Sequence, residues 1–164
     1  MQKNNYHKII ITITILLCTA ISAKAQSNPI NIGTSLSDTI AVMQHLEKRK
    51  SEFIGKPLAI FLKEYERYLP IRFMASAETS PWIHPEGKCF VEAIIICFRD
   101  YDFLMKKIKD KEGNFVLRIE FMNPRVEYST FWDQFPETMT DQEKANLIRD
   151  KYKVKDISSY LFIY

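Results

Sequence analysis

"CFVEAIIICF", residues 89–98, decides the reading of this chain. Every side chain in it except Glu92 is apolar, and the run is rich in β-branched Val and Ile. Both faces are hydrophobic at a period of two, the pattern of a strand covered above and below, so the run is read as the central strand of a sheet. Cys89 and Cys97 then stand eight residues apart on an extended chain, roughly 26 Å at about 3.3 Å per residue. A disulfide needs Cα atoms roughly 5.5 Å apart. Each cysteine is therefore expected as a small apolar core residue, and no disulfide between the two is predicted. Glu92 shares a strand face with Phe90, Ile94, Ile96 and Phe98. A carboxylate buried there has a raised pKa unless it is paired. The expectation is an ion pair with Arg118 or Arg72 on a neighbouring strand, or a place near the rim of the sheet.

Downstream of this run, Asp100 can cap a short helix on which Tyr101, Leu104, Met105 and Ile108 form one stripe, and Gly113 ends it. "FVLRIEFM", 115–122, alternates Phe115, Leu117, Ile119 and Phe121 against Arg118 and Glu120, as a half-covered strand does. Thr140 with Glu143 has the spacing of a capping box and predicts a helix running to about Tyr152. "DISSYLFIY" then reads as a terminal strand. Upstream, Leu36, Ile40, Met43, Leu46 and Phe53 recur at helical spacing behind Ser35 and Ser37. Gly55 closes that helix and Pro57 opens a second, with Leu58, Phe61, Leu62, Tyr65 and Leu69 on one face. "IRFMASA", 71–77, alternates as a strand.

Helices and strands are mixed without a regular βα repeat. The predicted class is α+β: a small, mostly antiparallel four-stranded sheet with helices packed on one face. The segment from 89 to 122 leaves a parallel crossover open, because its connection is long enough for one. The helix start "FIGKPL", 53–58, the hydrophobic central strand, the short C-terminal strand and the N-terminal leader together resemble small exported bacterial proteins of unknown function. The resemblance implies no activity.

That leader is residues 1–25, read as a signal peptide. Lys3 and Lys8 mark its basic start, Ile9–Ser22 its apolar run, and Ala23 and Ala25 the small residues before cleavage between Ala25 and Gln26. The apolar run is shorter than the roughly 20 residues a spanning helix needs, so no stable membrane span is expected after cleavage. Residues 26–35 read as a flexible leader and 36–164 as one globular domain. The expected location is the periplasm or the medium. Lys3, Lys8 and Lys24 carry the whole formal charge of +3. The remainder is balanced and shows none of the basic surplus of a nucleic-acid binder.

No cofactor is predicted. His84, Glu86 and Cys89 are close in sequence, but they match no zinc-ligand spacing, and His45 is read as solvent-facing on its helix. No metal site is predicted. The candidate binding residues are aromatic or lie in long loops: Trp82 and His84 before the central strand, and Tyr128, Phe131, Trp132 and Phe135 in the irregular stretch "EYSTFWDQFPE". These point to a non-enzymatic module that binds a protein, peptide or small ligand. The competing reading is a cell-envelope enzyme using Glu92, His84 or Cys89.

Overall fold

The computed structural model describes residues 36–79, 87–110, 112–122 and 125–162, which belong to one compact unit. The predicted central strand is central. β2 (Phe90–Cys97) pairs antiparallel with β1 (Phe73–Glu78) on one side and with β3 (Asn114–Met122) on the other. β3 pairs antiparallel with β5 (Lys153–Phe162), giving the order β1-β2-β3-β5. A two-residue strand, β4 (Val126–Glu127), continues the β3 side of β2 by pairing Phe90 with Glu127 and Val91 with Val126. The class is α+β as predicted, but the sheet has five strands rather than four. The β2–β3 connection is antiparallel, not a crossover.

Strand alternation sorts the two faces. Met74, Ile94, Ile96, Leu117, Ile119 and Ile157 are buried on one of them. It is covered by α1 (Leu36–Lys48), whose Val42, Met43 and Leu46 are inaccessible, and by α2 (Leu58–Glu66), which buries Leu58, Phe61, Leu62 and Tyr65. Glu47 of α1 accepts a hydrogen bond from the Ser159 hydroxyl on this side. The opposite face is lined by Phe73, Ile95, Cys97, Val116, Tyr160 and Phe162. There α3 (Tyr101–Lys109) lays Leu104 over Cys97 and Val116. The helices are thus not confined to one face: α3 crosses the other.

Local chemistry sets the element ends. The Asp100 carboxylate accepts from the Phe103 N–H at 2.9 Å and starts α3, as a β-region N-cap does. Thr140 and Glu143 close the expected capping box at α5 (Asp141–Ile148), which stops four residues short of Tyr152. The first helix ends at Lys48, and a 3-10 turn, Lys50–Glu52, carries the chain to Gly55. Gly55 sits at φ +80°, a conformation that costs other residues about 1 kcal/mol or more. It lets the Gly55 N–H donate to the Val154 carbonyl at 2.8 Å, while the Val154 N–H donates to the Lys56 carbonyl. This contact covers the start of the β5 edge.

The stretch read as irregular is ordered. After β4 it forms a short helix, α4 (Tyr128–Asp133). Among the described residues no helix is long and apolar enough to cross a membrane. The segments read as signal peptide and leader lie outside the described residues.

Candidate functional site

A mainly apolar concavity lies between α3 and the sheet. The stripe Tyr101, Leu104, Met105 and Ile108 forms its roof, while Phe73, Ala75, Ile95, Val116 and Phe162 form its floor and walls. Alternation makes this floor: on β1 the residues facing α3 are Phe73 and then the small Ala75, aligned with Ile95 across the pair. Above Ala75 the nine-residue helix leaves a cleft of about 180 Å³. Tyr101 stands at the mouth, 58% exposed, with its ring stacked on Phe73 at 6.3 Å. Asn114 supplies the buried polar group; its amide donates to the Leu104 carbonyl at 3.4 Å and so ties the helix to β3.

The volume decides what fits. It exceeds the roughly 150 Å³ that holds a benzene in an apolar protein cavity, and it falls below the roughly 300 Å³ of pockets for drug-sized ligands. One ring or a short hydrocarbon chain suits it. Cys97 packs with Leu104 and Val116 but does not line the cleft. Burial pushes its thiol above the ordinary range despite opposing contacts from the Arg99 and Phe98 backbone N–H groups. A thiol held protonated in this way is a core group and a poor nucleophile. Both cysteines are free, with Cys97 buried and Cys89 half-buried.

Four of the six sequence candidates come together elsewhere. Phe131 is fully buried and packs edge-on against Trp132 at 5.4 Å and Phe135 at 5.4 Å, with Tyr152 beside it. Tyr152 in turn stacks on Phe121 at 4.3 Å. Phe131 and Phe135 thus plug one end of the core, and Tyr128, 42% exposed, is the accessible member. Trp132 is half-buried; its indole N–H donates to the Ser76 hydroxyl at 3.1 Å, and Lys144 sits over its ring. Trp82, His84 and Glu86 lie outside the described residues.

Glu92 stands at the rim. Its partner is Arg125 at 3.6 Å, not Arg118 or Arg72, and its side chain is 37% exposed. Arg118 pairs with Glu120 on its own strand instead. His45 is half-buried rather than solvent-facing, with its ring against Tyr68 at 6.3 Å. Among the described residues no group of three or more His, Cys, Asp or Glu stands where it could hold a metal ion.

The cleft was missed in the sequence because periodicity shows a helix's apolar stripe but not which sheet face it crosses. The signal that was present is the pairing of that stripe with Ala75 and Ala77 on a neighbouring strand. No family model, curated protein or solved structure matches this chain.

Proposed function

We propose that this chain is an exported, non-enzymatic binding module, and that it takes a small apolar ligand, or one apolar group of a larger partner, into the cleft beneath α3. The single observation that carries the reading is the mainly apolar cleft between α3 and the sheet. Apolar surface lining a concave cleft gains free energy when a ligand removes it from water. Export is supported by the N-terminal pattern of basic start, apolar run and small residues before Gln26. Mass spectrometry of the protein recovered from its host tests it: a mature N-terminus at Gln26 is expected, and retention of residues 1–25 overturns export by cleavage.

The binding reading is tested by thermal unfolding in the presence of small apolar probes, toluene and indole among them. A ligand that binds only the folded state raises the melting temperature in proportion to its occupancy. Substituting Ala75→Leu fills the floor of the cleft. The variant is expected to stay folded and lose the probe-dependent shift. A probe response that survives Ala75→Leu undiminished places binding elsewhere.

A further inference from the structure

The other flank of α3 carries a different kind of site. Arg99, one residue before the Asp100 cap, has its guanidinium carbon 4.8 Å from the centre of the Phe98 ring and 4.6 Å from that of Phe103. Its Nε is buried and finds no hydrogen-bond partner among the described residues. Arg49, Arg67, Arg118 and Arg125 each pair with a glutamate, whereas Arg99 makes no ion pair with an acid among the described residues. It lines a cavity of about 100 Å³ together with Phe103, Phe115, Leu161 and the paired Lys107 and Glu112, whose opposite charges offset each other at the cavity wall.

A guanidinium stacked on aromatic rings is fixed in orientation, and its donors form a planar fork. A buried donor left without an acceptor is costly, and native structures almost always satisfy it. We propose that this cavity binds a small aliphatic carboxylate, whose oxygens take the Arg99 donors while its alkyl tail lies against Phe103, Phe115 and Leu161. The planar two-oxygen headgroup matches the fork. Hydrocarbon walls favour a short tail and disfavour a strongly hydrated, multiply charged phosphate. The volume limits the tail to a few carbons. This proposal stands apart from the apolar cleft, with which the cavity shares only Asn114.

The test is a titration of the ¹⁵N-labelled full chain with acetate, butanoate, octanoate and inorganic phosphate, reading the Arg99 Nε–H resonance and the backbone amides. The expected result is a saturable shift at Arg99 that is tighter for butanoate than for acetate or octanoate. Arg99→Gln is expected to weaken butanoate binding at least tenfold with the backbone spectrum preserved. Phosphate binding as tight as butanoate overturns the proposal, as does an affinity indifferent to tail length. The absence of any saturable shift at Arg99 in the unsubstituted protein overturns it too, whether or not the variant folds.

Discussion

The carboxylate of Asp141, at the start of α5, accepts a 3.0 Å hydrogen bond from the backbone N–H of Met74, 67 positions earlier in the chain. β1 is an edge strand, and an edge strand presents a row of unpaired N–H and C=O groups that other chains can use. Here side chains cover part of that edge. Gln142 accepts from the Ile71 N–H at 3.3 Å and donates to Glu66, and the indole of Trp132 reaches Ser76 two residues beyond Met74. The first turn of α5 therefore protects the sheet as well as extending the core.

Asp141→Ala is expected to destabilise the fold by about 1–2 kcal/mol, the size of a lost charge-assisted hydrogen bond. It should also speed hydrogen exchange at the Met74 amide, whereas Asp141→Asn, which keeps an acceptor, should change both less. An unchanged Met74 exchange rate in Asp141→Ala would show that the edge is protected some other way.

A second prediction concerns acid. Arg49 donates to Glu64 at 2.7 Å and so joins the end of α1 to α2, and Arg67 holds the other Glu64 oxygen at 2.8 Å. Burial works to raise the Glu64 carboxyl, but these hydrogen bonds outweigh it and hold it below its ordinary value of 4.5. Since the folded-state pKa is the lower one, the unfolded chain binds this proton more readily. The contribution is present above the ordinary value and is lost as pH falls through the folded one. Its size is about 1 kcal/mol, the upper end for partly exposed pairs. Between about pH 6 and pH 3 the protein should lose that much more stability than Glu64→Gln does. Parallel acid limbs in denaturant titrations would remove Glu64 from the acid response.

Tyr65 gives the opposite sign. It is fully buried, and its hydroxyl has no hydrogen-bond partner among the described residues; burial raises its pKa far above the ordinary range. Tyr65→Phe deletes an unsatisfied group while keeping the ring. It is expected to stabilise the fold by up to about 1 kcal/mol, or about 4 °C in melting temperature. A loss of comparable size would mean that the hydroxyl is hydrogen-bonded in solution.

Glu92 should matter little. With its partner 3.6 Å away and both side chains more than a third exposed, Glu92→Gln is expected to change stability by less than about 0.5 kcal/mol. A larger loss in chemical denaturation would restore the buried ion pair that the hydrophobic surroundings of Glu92 in sequence suggest.

That contrast shows what the residues disclose on their own. The capping box of Thr140 and Glu143, the Asp100 cap and the doubly apolar β2 are local signals, and each element forms where its signal stands. The partner of Glu92 is Arg125, one residue before β4, a pairing that no periodicity encodes. β4 is two residues long, and α4 follows it without a break, so "VEYSTFWD" carries neither an alternation nor a helical stripe long enough to read. Phe131 and Phe135 read as loop aromatics because nothing local indicates that Tyr152 and Phe121 wait to receive them. The cleft depended on α3 crossing the face opposite α1 and α2. The stripe of Tyr101, Leu104, Met105 and Ile108 was legible, but its side of the sheet was not.

The measurement that bears most directly on the cleft is a toluene titration of methyl-labelled protein followed by NMR. Saturable shifts are expected at Ile95, Leu104, Ile108 and Val116, with Ile94 and Ile96 on the other face left in place. Shifts centred on Ile94 and Ile96, or no saturable shift at any of these methyls, would contradict the account.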